Sequence, residues 1–498
     1  MINNIATYTA ITEIEHDLDI DVFFLNSRIF TTTDLRIFNK FQKAGEGKKY
    51  DSPAKVVMNE IQRADIQGAE RDSSLLVQDH RKYLCISIEI QIDDYESLSE
   101  TGAYARPRLL IILDILSFLT QELFMPVDIC TISTNMGTLQ RTNNIKFKFK
   151  NSDHLSNLKK IIELITSYNE NEKRLLYSLI DRYRKALYLE KESKENMIHD
   201  DEILLSYFHI LELLSNNYYS QQKCLAIQSI NQFTESILKN IFLIEGNQLQ
   251  TEINMKRKFI TNLFISDFPV GSKIMYMFQR QGMLTERLKA FISELIKDRN
   301  SVAHGRQVYQ ERVIFPAPQF FPLVRNRGYH FETLRILTGR AISLYININH
   351  LKEEWEEVYE TLIPTFDELA LFINEKKYEK ITINDFYSGK ENDITPCTIA
   401  HYLLNKKLKA DKTVPVLSEL ILNYREVEDE IRQLVLSVIL IVDNTVDELR
   451  KKCIKIIKLS SNNDWLPSFN MRDILYYLQY LGHQPKTLKE MITRKEIR

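Results

Sequence analysis

The chain is poor in the residues that break regular structure: 498 residues include only 13 glycines and 12 prolines. So few breakers argue against a loop-rich architecture and favour long helices. Cysteine is also sparse. The five, Cys85, Cys130, Cys224, Cys397 and Cys453, are scattered, odd in number, and form no Cys-x-x-Cys pair. This reads as a reducing compartment with neither a disulfide framework nor a zinc site. Neither sign of charge dominates, because 65 Lys and Arg stand against 67 Asp and Glu for a net charge of -2. Without a global basic footprint, any nucleic-acid contact must rely on local patches. Long apolar runs are missing as well: Leu109 to Leu119 and Leu434 to Val442 fall well short of the ~20 residues of a bilayer span. Met1-Ile2-Asn3-Asn4 has neither the basic start nor the apolar run of a signal peptide. The expectation is a soluble, cytoplasmic protein with no membrane partner.

What is present is a globular composition, 44% hydrophobic and 27% charged, over a length that suggests two to four domains. Residues 1–150 look mixed α/β. Tyr83 to Ile92 and Asn144 to Phe149 alternate as strands do, and Arg108 to Leu123 is apolar at helical spacing. Lys43 to Ser52 and Ala64 to Ser73 read as exposed polar loops. No Gly-x-Gly-x-x-Gly, P-loop or His-Glu-x-x-His motif occurs in this part. The acidic run Asp17-Leu18-Asp19-Ile20-Asp21 has the look of a cation site, but it reads better as an alternating strand edge.

Helical periodicity dominates from about residue 153. Leu158 to Arg184 reads as one long connecting helix, within a segment 151–195. A helical bundle follows over 196–350, with helices expected at Asp201–Tyr219, Gln222–Ile244, Met255–Ile265, Ser272–Gln281, Leu284–His304 and Phe331–His350. Three prolines, Pro316, Pro318 and Pro322, interrupt it. Residues 351–498 form a helical carboxy-terminal region with one strong segment from Glu430 to Leu459. The basic cluster Arg450, Lys451, Lys452, Lys455 and Lys458 reads as a solvated helix end rather than an RNA site.

The chemistry concentrates at the end of the Leu284–His304 helix. Leu284, Leu288, Phe291, Leu295 and Val302 mark its apolar stripe. Asp298 and Arg299 interrupt that stripe, and burying a charge is expensive unless it is paired or used. Gly305 suits the left-handed residue that ends a helix, so His304 falls in the last turn, where the backbone carbonyls favour its protonated form. Asn300 lies four residues earlier on the same face. Arg299 lies five residues earlier, about 140° around the axis, and only a long side chain with a phosphate-matching fork brings its head to the same substrate.

Arg299-Asn300-x-x-x-His304, followed by Gly305, resembles the catalytic mark of the HEPN domains, helical bundles of nucleotide- and RNA-binding proteins. Phe208-His209-Ile210-Leu211-Glu212-Leu213-Leu214 is similar to their first helix, with its acidic residue in an apolar run. The resemblance is nearest to the Apea-like HEPN branch of bacterial antiphage defence proteins and covers about residues 200–350. It implies a mainly α fold: a HEPN bundle preceded by a mixed α/β sensing or regulatory domain and followed by a helical carboxy-terminal domain. It implies a metal-independent endoribonuclease that needs no cofactor. His304 would act as general acid or base and Arg299 would stabilise the transition state, while Asn300 would orient His304 or bind phosphate. Glu212 and Asp298 are candidate supporting residues, and Arg306, Arg325 and Arg327 candidate RNA-binding ones. The implied partners are RNA, a second copy bringing its own Arg/His set to a shared cleft, and a phage-derived or nucleotide trigger. The cellular role would be growth arrest on infection. The alternatives are an inactive HEPN scaffold binding RNA or a partner protein, and a toxin held by a separate antitoxin. A second match, Arg325-Asn326-Arg327-Gly328-Tyr329-His330, has the same spacing but lacks a preceding amphipathic helix, so it reads as structural.

Overall fold

The computed structural model describes residues 5–15, 17–33, 82–91, 101–139, 141, 145–150, 152–193, 199–265, 268–303, 330–465 and 470–497. The chain is mainly helical, with a seven-stranded antiparallel sheet near its amino terminus. Packing divides it into two compact units: Met1–Leu214 with Leu337–Lys352, and Ser215–Ile336 with Glu353–Arg498. Residues 1–195 fall in the first unit, and the expected bundle over 196–350 contributes to both. The polar stretches 43–52 and 64–73 lie outside the described residues.

In the first unit the sheet runs in the order β5-β1-β4-β3-β2-β6-β7. Its strands are β1 (Ile5–Ile14), β2 (Leu18–Phe24), β3 (Ser27–Thr32), β4 (Lys82–Gln91), β5 (Ile129–Met136), β6 (Lys146–Phe149) and β7 (Ser152–Asp153). The two strands expected from alternation are β4 and β6. In β6, Phe147 and Phe149 are buried while Lys146 and Lys148 face water. β2 buries Leu18, Ile20, Val22 and Phe24 and leaves the residues between them half-exposed. Two carboxylates of the acidic run face cations of neighbouring strands, Asp19 with Lys146 at 2.7 Å and Asp21 with Arg28 at 3.0 Å, while Asp17, just before β2, lies 3.8 Å from Lys82 at the start of β4. Cross-strand pairs of this kind belong to sheet architecture.

Helix α1 (Thr101–Thr120) starts seven residues before the expected Arg108 and runs through Pro107. Every residue from Ile112 to Thr120 is buried, as expected of a helix covered on all sides; it packs on β1, β4 and α3. The single connecting helix expected over 158–184 is instead two, α2 (Leu155–Ser167) and α3 (Glu170–Ser193). The break has a local cause. Asn169 accepts from the amides of Asn171 and Glu172, both at 3.0 Å, while Glu172 accepts from the Asn169 amide. This reciprocal cap makes residue 169 a start rather than a middle. Helix α4 (Asp200–Asn216) buries Ile203, Tyr207, Phe208, Ile210, Leu211 and Leu214; Leu204, expected on that face, is only half-buried.

The second unit holds helices α5 (Tyr219–Asn240), α6 (Gly246–Ile265), α7 (Val270–Arg280) and α8 (Glu286–Ala303). Helix α9 (His330–Tyr345) has its first turns in this unit and its remainder in the other. Among the described residues nine further α-helices follow: α10 (Lys352–Glu360), α11 (Phe366–Asn374), α12 (Ile383–Tyr387), α13 (Pro396–Leu404), α14 (Ala410–Asn423), α15 (Glu428–Ile441), α16 (Asp447–Asn462), α17 (Met471–Tyr480) and α18 (Lys486–Thr493). α15 lies at the heart of this core, packed against α13, α14 and α16.

The strong segment expected over 430–459 is broken between α15 and α16 by a 3-10 turn at Val442–Asn444. Asp443 turns out of the helical path there. Its carboxylate accepts from the Lys486 and Thr487 amides at 2.7 and 3.0 Å, capping α18 from another part of the chain. The basic cluster also differs from expectation. Arg450 to Lys458 begin in the first turn of α16, not at its carboxy terminus. Lys455 pairs with Glu426, Lys458 with Glu496 at 2.8 Å, and Arg450 donates to Thr487 at 3.2 Å. These acidic and polar partners, together with Asp447 and Glu448, offset cations at the disfavoured end of the helix dipole.

Candidate functional site

Helix α8 begins with a cap: Thr285 accepts the Leu288 amide through its hydroxyl at 3.2 Å, and Glu286 opens the first turn. Arg287, Leu288, Phe291, Ile292 and Leu295 are buried. Burial then fades, and Ile296, Asp298, Arg299, Asn300 and Val302 are half-buried. The two charges that interrupt the stripe therefore lie where the helix emerges from the core. That lowers the desolvation cost that made them conspicuous in the sequence.

Arg299 donates from Nη1 to Asn300 Oδ1 at 3.2 Å, and its Nε is shielded from solvent. Asp298 and Arg299 are both engaged with neighbours. The adjacent pair of a cation and an amide thus stands in the last turn of α8, which ends at Ala303. His304, Arg306, Arg325 and Arg327 lie outside the described residues. So the structure brings Arg299, Asn300 and Asp298 onto one helix end. Glu212 sits on α4, half-buried with Oε1 shielded from solvent, and it belongs to the first unit. His330 is the first residue of α9, part of the helix rather than of the loop expected to precede it.

Sequence reasoning missed the most buried charge on α8. Arg287 is 8% exposed and holds three acceptors. Nε donates to Glu368 at 3.0 Å, Nη1 to Asp393 at 2.5 Å, and Nη2 to the Asn392 carbonyl at 2.8 Å. Burial opposes its charge, but these neighbours outweigh that and raise its pKa further. Glu368 also closes the capping box of α11 with Thr365. Arg287 thereby clamps the start of α8 to the carboxy-terminal helices. A signal was available, because Arg287 lies four residues before Phe291 and so on the same apolar face.

Asp114 and His350 are two buried, strongly perturbed groups of the first unit. Asp114 on α1 and Arg184 on α3 form a pair in which each is 4% exposed. Burial pushes the Asp114 carboxyl up to about 6, although Arg184 pulls it down. His350 is 5% exposed, and its Nε2 lies 2.9 Å from the Phe118 carbonyl. That geometry makes Nε2 a donor, and burial drives the His350 pKa down to about 4. Asp114 lies on a packed helix, and His350 lies in the irregular segment after α9, which ends at Tyr345 rather than at the expected His350; both serve the core.

No protein-family model matches the chain, and neither a curated protein nor a solved structure matches it.

Proposed function

We propose that this chain is a metal-independent endoribonuclease of the HEPN type, acting as a growth-arresting effector in defence against phage. The observation that carries the reading is the last described turn of α8: Arg299 and Asn300 are hydrogen-bonded neighbours at 3.2 Å on a capped, clamped helix, described as far as Ala303. Preorganisation of this kind is what catalysis by positioning requires.

In the proposed reaction the RNA 2′-hydroxyl loses its proton and attacks the adjacent phosphorus. The bond to the 5′-oxygen breaks and that oxygen takes up a proton. The products are a 2′,3′-cyclic phosphate and a 5′-hydroxyl, with no water consumed. His304 serves as the acid or the base. Arg299 offsets the charge growing on the phosphoryl oxygens, and Asn300 fixes the Arg299 head. Because one histidine rarely supplies both an acid and a base, two copies would share a cleft.

The test is expression of wild type and His304→Ala in a host, followed by sequencing of RNA 5′ ends and by cleavage assays in excess chelator. Cleavage by wild type that persists in chelator and spares 2′-O-methyl RNA is expected, because that RNA lacks the nucleophile. Activity that needs added magnesium or manganese would overturn the mechanism. RNA binding without cleavage would favour the inactive scaffold instead.

A further inference from the structure

The α5–α6 hairpin of the second unit is anchored at its base. Gln222 donates to the Ser272 hydroxyl at 3.0 Å, and Lys273 lies over the Tyr219 ring at 4.6 Å. Beyond that base the helices pack on each other, and between residues 219 and 260 only Thr234, Leu238 and Ile253 are buried. Their outer sides carry large apolar side chains. Phe233, Phe242 and Phe259 are 62%, 63% and 72% exposed, and Ile241, Leu243 and Met255 are 69%, 78% and 58% exposed. The turn between the helices is hydrogen-bonded, with the Phe242 amide on the Ile237 carbonyl and the Ile244 amide on the Leu238 carbonyl, both at 3.1 Å. Its apolar tip is therefore presented by a fixed backbone.

We infer that this hairpin is a self-association surface, on which a second copy of the chain packs its own hairpin antiparallel about a two-fold axis. Two observations choose this occupant. The first is area. At ~200 Å² per aromatic side chain and rather less per aliphatic one, the six residues present on the order of 700 Å² of apolar surface. A standard interface buries about 800 Å² per partner, little more than half of it apolar. The hairpin alone supplies that, and it exceeds the apolar patches that monomers usually leave in water.

The second observation is charge. Around the tip, Glu235 and Glu245 outnumber Lys239, and Glu252 is paired with Lys256 of its own helix at 3.9 Å; towards the base stand Lys223, Arg257 and Lys258 with no acidic residue among them. An antiparallel pair places each acidic tip beside the partner's basic base, and the two-fold axis makes both contacts equivalent. An anionic lipid surface would instead be met by an acidic tip, so the charge pattern opposes that occupant. The proposed function also calls for two copies, but the hairpin is a surface other than the motif end of α8, so the tip and charge variants test this inference while leaving Arg299 and Asn300 in place.

Light scattering and sedimentation of the full chain at 1–100 µM would test it. Wild type should run as a dimer. Phe242→Asp with Leu243→Asp, at positions too exposed to serve the fold, should weaken self-association more than tenfold while leaving the circular dichroism spectrum unchanged. Glu235→Lys with Glu245→Lys should also weaken it, and adding Arg257→Glu and Lys258→Glu should restore it. A wild type that stays monomeric throughout, a dimer indifferent to the tip variant, or charge reversals that show no rescue would each overturn the inference. So would tip-dependent sedimentation of a monomer with phosphatidylserine vesicles.

Discussion

Arg287 and Arg299 sit on the same helix, twelve residues apart, and have opposite surroundings. Arg287 is 8% exposed and locked by two carboxylates and a carbonyl from the carboxy-terminal helices. Arg299 is half-buried near the last turn, bonded to the next residue. The difference separates two uses of a buried arginine. One offsets its desolvation with permanent partners and so stabilises the fold. The other is half-buried where the helix leaves the core. The proposed function assigns catalysis to the second and rigidity to the first.

The largest expected effect breaks the comparison on the functional side. Arg299→Ala and His304→Ala should each reduce RNA cleavage by at least about 100-fold, in line with the loss of a transition-state donor or an acid-base group. Melting temperatures should stay close to wild type. An active His304→Ala variant would remove the proposed site, and unfolding of Arg299→Ala would make that arginine structural like Arg287.

Arg287→Ala tests the other half. Removing it leaves Glu368 and Asp393 without their cation, but at 33% and 50% side-chain exposure water can solvate them, so the cost should be about 1–2 kcal/mol rather than that of a fully buried broken pair. The second unit should melt several degrees lower, read by calorimetry. A melting temperature unchanged within a degree would mean that the clamp contributes little.

A smaller effect concerns pH and sharpens the contrast with the first unit. The His350 pKa falls from 6.5 to about 4 on folding. The unfolded chain therefore takes up this proton first, and the stability that the neutral ring contributes is present above pH 6.5 and lost as pH falls through about 4. The full window corresponds to about 3 kcal/mol. Asp114 works in the opposite sense. Its pKa rises from 3.8 to about 6, so its contribution is present below pH 3.8 and lost as pH rises through about 6. His350→Gln should flatten the acid side of the stability curve of the first unit, followed by denaturant titration between pH 4 and 7, and Asp114→Asn should steepen it. An unaltered slope in His350→Gln would show that the histidine does not govern it.

The smallest effects belong to the second Arg-Asn-His match. His330→Ala should keep most of the cleavage activity, and Arg325→Ala should at most weaken RNA binding in a salt-dependent way. A dead His330 variant beside an active His304 variant would move the site from α8 to the start of α9.

The sequence by itself determined the local features. Alternation marked β4 and β6, apolar periodicity marked the presence of α4 to α9, although α6 starts at Gly246, nine residues before the expected Met255, and α9 ends at Tyr345 rather than His350, and the charged break of a helical stripe marked Asp298 and Arg299. These signals are legible because pleat and helix impose fixed periods on neighbouring residues. Even the break between α2 and α3 lies in a local sign, the Asn169–Glu172 capping box, passed over in favour of continuous apolar spacing. Only the tertiary structure decided the rest. Arg287 finds Glu368 and Asp393 at 81 and 106 positions along the chain, Asp443 leaves its own helix to cap α18, and Asp114 meets Arg184 inside a core. Periodicity carries no record of such distant partners, because they are chosen by how helices stack, and a charge becomes a clamp only once another part of the chain has closed over it.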